Sequence, residues 1–372
     1  MSSPALTNLP ENRFCQIMNR RKFLLSIGGL IVGFACAPSY QLQLPADPPR
    51  ALTREESIQG WRRRIRAIRD RGKLPIIDTE ATHGHSIDIE FIIREMDLNG
   101  VAQIAFAPFF RAGSDMSICL HQLYPEYFIP TTADGSSFYW WLNSQHFIDT
   151  VFSEFKAGGY FLMGEYELRH YPSTLQWKAG RMDRDVTVPL DSGPVHALFQ
   201  FSQENKVMFM IHYEIEDVLL PPLEAILETY PGALVVWCHV GQVRYPDRST
   251  RYGPAYVRSL IERFPNLHFD LGAQAYPGNI YPGSGARDMT IFQYTGQPPY
   301  GGYLKREWLN LFEEHPERFL AASDIDPDRY RDLPRTIQRL RALILNRLHE
   351  RARHLIAYQN AWRLITGEVW ET

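Results

Sequence analysis

Cysteine is scarce, with four residues in a chain of 372. Cys15 and Cys36 lie within the first forty residues, which leaves Cys119 and Cys238 in the body, too few for a disulfide scaffold. Cys238 sits inside an apolar run, where the expected role is that of a small buried hydrophobe. No apolar run reaches the roughly 20 residues that a membrane-spanning helix needs. Charge of one sign is lacking too: 39 Lys and Arg stand against 42 Asp and Glu, a net charge of −3. With no sustained basic face interleaved with aromatics, nucleic acid is not an expected partner. No G-x-G-x-x-G or Walker-type glycine loop follows any predicted strand, so the usual dinucleotide and phosphate cradles are missing.

What is present divides into three parts. Residues 1–40 read as a targeting segment, because the basic n-region Asn19-Arg20-Arg21-Lys22-Phe23-Leu24 precedes a short Gly-rich apolar stretch from Phe23 to Ala35. This predicts twin-arginine export to the periplasm or cell envelope. Met18 offers an alternative start, and Gly33-Phe34-Ala35-Cys36 loosely matches a lipoprotein cleavage box. Membrane contact is expected only through this segment, if it is uncleaved or lipidated. Residues 41–72 form an extension and a helix, and residues 73–372 are long enough for one large core.

In that body, eight short apolar runs alternate with amphipathic segments: 74–79, 101–107, 127–132, 160–166, 207–213, 233–240, 266–271 and 318–323. Several are apolar on successive residues, as in Leu234-Val235-Val236-Trp237, which is the pattern of strands covered on both faces. Between them, Ile89, Ile92, Ile93 and Met96 follow Ser86 as a cap and stop at Gly100. Leu223, Ile226, Leu227 and Tyr230 stop at Pro231-Gly232. An aromatic-rich helix is predicted over 140–158, and a basic helical region from Pro334 to Ile365. Repeated βα units predict an α/β fold, a (β/α)8 TIM-type barrel, with a long Gly-, Pro- and Tyr-rich loop over 275–303 after strand 7. That loop, carrying Tyr276, Tyr281, Tyr294, Tyr300 and Tyr303, would hang over the carboxyl rim, where such barrels build their sites.

Polar residues at the ends of apolar strands are therefore the informative ones. They are Asp78-Thr79-Glu80 with His83 and His85 beyond, Glu165, His212 within Ile211-His212-Tyr213-Glu214, His239 within Trp237-Cys238-His239-Val240-Gly241, and Asp324 within Ala322-Ser323-Asp324. Imidazole and carboxylate are the ligand set of Zn²⁺ and its neighbours, and three protein ligands with one open position make a catalytic site. An ion so held lowers the pKa of bound water to about 7, and a nearby carboxylate accepts the proton.

The motifs around His212, His239 and Asp324 resemble the fifth-, sixth- and eighth-strand motifs of the amidohydrolase superfamily. The closing Ala357-Tyr358-Gln359-Asn360-Ala361-Trp362-Arg363 resembles the last helix of its amidohydrolase-related branch. The resemblance spans residues 74–365. It implies one or two divalent metal ions, usually zinc, on His212 and His239, a ligand at Glu165 and a proton-shuttling base at Asp324. The first strand departs from it: where the family reads Asp-x-His-x-His, this chain has Asp78-Thr79-Glu80-Ala81-Thr82. Either Glu80 stands as a substitute ligand or His83 or His85 reaches in from the loop beyond, and a set of Glu80, Glu165, His212 and His239 is oxygen-rich enough to favour Mn²⁺ or Fe²⁺ over Zn²⁺. Arg169, His170 and Arg244 are expected to hold a substrate carboxylate or phosphate. The implied activity is hydrolysis of a carbonyl or related centre in a small molecule. Decarboxylation or lactone opening on the same fold is an alternative, and so is a degenerate barrel that binds a ligand without turnover.

Overall fold

The computed structural model describes residues 49–371 apart from 85–86, 110–113, 273–289 and 298. The export segment, Ser86, His85, Tyr276 and Tyr281 lie outside the described residues. Among those described, no helix is long and apolar enough to cross a membrane.

The chain opens with α1 (Arg54–Asp70), whose start is fixed by a capping box between Thr53 and Glu56. It then enters β1 (Ile76–His83), α2 (Ile89–Asn99), β2 (Val101–Pro108), α3 (Asp115–Leu123) and β3 (Phe128–Pro130). Asp88, not Ser86, caps α2 by accepting from the Phe91 amide at 3.0 Å, and Gly100 ends the helix in the left-handed region as expected. The single helix expected over 140–158 is two: α4 (Phe138–Trp141) and α5 (Gln145–Ala157). Asn143 takes a positive φ between them, and the Ser144 hydroxyl starts the second by accepting from the Phe147 amide.

Next come β4 (Glu165–His170), α6 (Thr174–Lys178), β5 (Val186–Thr187), α7 (Gly193–Asn205), β6 (Met208–Tyr213), α8 (Leu220–Thr229) and β7 (Leu234–Trp237). The run read as 160–166 is thus a strand over Glu165–His170. The preceding residues bond to the neighbouring strands, Phe161 N to Pro130 O and Met163 N to Met208 O, and form a lone bridge between Thr131 and Leu162, but the regular strand starts only at Glu165, which begins it rather than ending it. The rest is α9 (Pro254–Arg263), β8 (Leu267–Asp270), β9 (Phe292–Tyr294), β10 (Gly302–Leu304), α10 (Arg306–Glu314), β11 (Phe319–Leu320), α11 (Leu333–Leu343), α12 (Glu350–His354) and α13 (Asn360–Thr366). The described end of the long loop is an antiparallel hairpin of β9 and β10, not plain coil.

Besides that hairpin, the described strands form two larger sheets, ordered β1-β2-β3 and β11-β8-β7-β6-β4-β5, whose long strands pair in parallel. Backbone bonds join the sheets at both edges. Thr79 N to Ala321 O and Thr82 N to Ile325 O link β1 to the end of β11, while Thr132 N to Leu162 O links β3 to the lead-in of β4. Both faces of the strands are covered, as successive burial of Val101 through Pro108 and of Met208 through Tyr213 shows. Polar side chains meet at the carboxyl ends.

Candidate metal centre

Three local backbone features aim the side chains. In β1 the register against β2 jumps from Asp78–Ile104 to Ala81–Phe106, a bulge at Thr79–Glu80. Bulges re-aim side chains, and this one turns Glu80 inward, 2% exposed. At the end of β7 the residues His239, Val240 and Gly241 all take positive φ, at 62°, 50° and 59°. For a β-branched valine that conformation is strained, and the turn it makes swings the His239 imidazole back into the site. After β11, Asp324 takes φ 52°, and its amide donates to Glu80 O at 3.0 Å.

Glu165, His212 and His239 converge. Glu165 Oε1 lies 3.0 Å from His212 Nδ1 and 3.6 Å from His239 Nε2, and the two ring nitrogens are 3.0 Å apart. Ligand atoms about 2.1 Å from a shared ion are separated by roughly 3.0 Å at a right angle and roughly 3.4 Å at a tetrahedral one. The three atoms therefore fit a common divalent ion. Glu80 adjoins them with Oε1 3.6 Å from His239 Nε2, and neither of its buried oxygens has a hydrogen-bond partner. A bare buried carboxylate beside two imidazoles is the donor set of a cation site.

The surroundings orient these groups. Glu214, fully buried, accepts from Arg244 Nε at 2.7 Å and NH2 at 2.9 Å, and faces His212 Nε2 at 3.1 Å. A carboxylate behind a ligating histidine fixes its ring and tautomer. Asp270, at the end of β8, accepts from the His239 amide at 2.9 Å and stands 4.0 Å from its Nδ1. Asp78 Oδ1 accepts from the amides of Ser323 at 2.8 Å and Glu80 at 3.3 Å, pinning β1 to the segment after β11.

The charges are strongly shifted. Burial and the carboxylates of Asp270, Glu165, Asp324 and Asp78 push Glu80 well above the usual carboxylate range, so the cluster is short of positive charge. Burial disfavours charge on His212, but Glu165 and Glu214 outweigh it and push the imidazole up to about 10. Burial likewise opposes the anion of Glu214, yet Arg244 and His212 bring it down to about 2.

A cavity of about 390 Å³ opens on these residues, with Glu80, Glu165, His212, His239 and Asp324 in its wall. A larger one of about 660 Å³ lies near the amino ends of β6 and β7, lined by Arg54, Phe161, Val207, Leu234 and Arg363, and among the described residues none that lines it is acidic. Only the first brings together the groups expected to carry chemistry. Asp324 stands at its rim, 23% exposed, with Oδ1 accepting from Arg329 NH2 at 3.3 Å.

The expected anion-binding residues fare differently. Arg169 is not in the cavity wall: its guanidinium donates to Asp185 at 2.6 Å and to Val186 O at 2.9 Å and stacks on Tyr171, so its expected substrate role is corrected to a structural one. Arg244 lines the cavity but is spent on Glu214. His170 lines it as well, its ring 4.8 Å from that of His212, and Nδ1 donates to Arg184 O at 2.8 Å. His83 is buried against Phe106 and is not part of the wall. Sequence reasoning missed Asp270, Glu214 and the pair Arg184–Glu167, in which Arg184 NH1 donates to Glu167 Oε2 at 3.0 Å and the guanidinium lies over Trp141. Asp270 and Glu214 left a signal, each as a polar residue at the end of an apolar strand.

No protein-family model and no curated protein matches the chain. Among solved structures it is similar to 2,6-dihydroxybenzoate decarboxylase from Rhizobium, at 11% identity over 79% of this chain and 99% of that one, TM-score 0.48. It is similar to a variant of an organophosphorus hydrolase from Deinococcus radiodurans, at 11% identity over 78% and 92%, TM-score 0.46. A third is L-hydantoinase (dihydropyrimidinase) from Arthrobacter aurescens, at 12% identity over 78% and 70%, TM-score 0.45. Likeness at these values carries no weight for activity.

Proposed function

We propose that the chain is a metal-dependent hydrolase on a closed (β/α)8 barrel of the amidohydrolase kind. The observation that carries this reading is the convergence of Glu165, His212 and His239, from three successive strands of one sheet, with ligand atoms all within 4.8 Å. These three residues hold the ion and Glu80 adjoins it, with zinc the first candidate and Mn²⁺ or Fe²⁺ the alternatives for so oxygen-rich a set. Bound there, a divalent ion lowers the pKa of water and polarises a carbonyl or related centre.

The protein's own groups do the rest. Glu214, clamped by Arg244, keeps Nδ1 of His212 turned toward Glu165. Asp270 holds the backbone of His239. Asp324, oriented by Arg329, accepts a proton at the cavity rim. The partner is a small molecule, not nucleic acid, and the Asn19–Leu24 segment supports export, which cell fractionation tests. Decarboxylation and lactone opening use the same parts, so the test is a panel of amides, esters, lactones and aromatic carboxylates assayed with and without a chelator. Chelator-sensitive cleavage of an amide or ester supports hydrolysis. Loss of CO₂ alone redirects the reading to a decarboxylase.

One observation favours the binding-only alternative. His212 has a carboxylate on each ring nitrogen, so its imidazolium can balance both without an ion. A metal-free protein with no turnover on the panel would establish that alternative.

A further inference from the structure

Among the described residues, every arginine in the cavity wall is already held by a carboxylate. Arg184 grips Glu167 with both terminal nitrogens. Arg244 grips Glu214 at 2.7 and 2.9 Å. Arg329 donates to Asp326 at 2.7 Å and to Asp324 at 3.3 Å. Among the described wall residues, eight are Asp or Glu, three are Arg and none is Lys, so a divalent ion would offset two negative charges and still leave acid in excess. At the mouth, Asp328 and Asp332 are exposed, with Arg329 between them in the chain and Arg181 close enough to feel the charge of Asp328. Deeper, Asp134 is 2% exposed and fixed through Oδ1 by the Ser136 hydroxyl at 2.6 Å. Glu80, also 2% exposed, presents two oxygens without hydrogen-bond partners.

A carboxylate or phosphate entering this cavity would have to displace an internal acid to reach a guanidinium, leaving that acid buried and unpaired. A cationic nitrogen meets acceptors instead, in a concave wall of one sign that concentrates its field. We propose that the site takes small molecules bearing an ammonium, amidinium or guanidinium group and rejects anions. This replaces the carboxylate or phosphate grip expected from Arg169, His170 and Arg244, and it rests on the reading that this cavity is the substrate site.

The test is calorimetric titration of the full chain near neutral pH with benzylammonium and with benzoate, two probes of matched shape and opposite charge. Benzylammonium should bind at least ~10-fold more tightly, and the double variant Asp328→Asn/Asp332→Asn, at exposed positions, should weaken it by about 2- to 10-fold without weakening benzoate. Equal or tighter binding of benzoate overturns the proposal, as does binding of neither probe or indifference of benzylammonium to the double variant. A protein that lacks metal and turnover yet keeps the ammonium preference refutes the hydrolase reading and upholds this one.

Discussion

Replacing Glu214 with glutamine separates the support of the site from its ligands. The carboxylate is fully buried and takes two hydrogen bonds from Arg244, at 2.7 and 2.9 Å, besides facing His212 Nε2 at 3.1 Å. An amide of the same shape keeps one acceptor oxygen and turns an NH₂ group toward a donor. One guanidinium bond is lost, and the charge of Arg244, whose side chain is 7% exposed, is left uncompensated. Breaking a buried pair from one side costs about 3–5 kcal/mol, a large part of a typical stability of roughly 5–15 kcal/mol. Losing the carboxylate behind a ligating histidine also lowers metal affinity, by roughly 10- to 100-fold. Urea denaturation reads the first effect and competition with a zinc-binding dye reads the second. The double variant Glu214→Gln/Arg244→Met removes the stranded charge, so it should recover about 2 kcal/mol or more of the loss while zinc affinity stays low. A single-variant cost below about 1 kcal/mol, or an unchanged zinc affinity, would refute the orienting role.

Other outcomes follow from the same structure. His121 is held down to about 4 by burial, and His268 to about 3 by burial and the charges of Arg363 and Arg318. Both are neutral in the fold and take up a proton near pH 6.5 once unfolded, so their stabilisation is complete above that pH and is lost as pH falls. Each should cost about 2 kcal/mol at pH 5, and His121→Gln should flatten the acid limb of a stability–pH curve measured by denaturant melts. Gly272→Ala would drive a Cβ onto Glu80 Oε2 and to 3.1 Å from Asp270 Oδ1, lowering stability by about 1–3 kcal/mol and weakening metal binding, read by thermal melts with and without added zinc. Asp324→Asn should lower kcat by roughly 10²- to 10⁴-fold with metal content unchanged; an undiminished kcat would remove Asp324 from the reaction.

The strands were legible because covered parallel strands are apolar on successive residues, and the ends of those runs exposed Glu165, His212, His239 and Asp324. What was not legible depends on geometry that local pattern does not carry. The aim of Glu80 comes from the bulge at Thr79–Glu80, a register event between two strands. Glu214 stands two residues after His212, but its role exists only because Arg244 reaches it from beyond the next strand. Arg184 belongs to a short turn with no periodicity, and its partner Glu167 lies 17 residues earlier. Arg169 lies just past the apolar run 160–166, because the strand itself, Glu165–His170, ends four residues later than that run. Within β4 it pairs with Thr187 across the sheet edge and is spent on Asp185.

Metal content of the purified protein, measured by mass spectrometry on the wild type and on His212→Ala, His239→Ala and Arg169→Ala, bears most directly on the centre. The structure predicts about one equivalent of divalent metal, lost in both histidine variants and kept in Arg169→Ala. Wild-type protein free of metal, with a melting temperature indifferent to chelators, would contradict it.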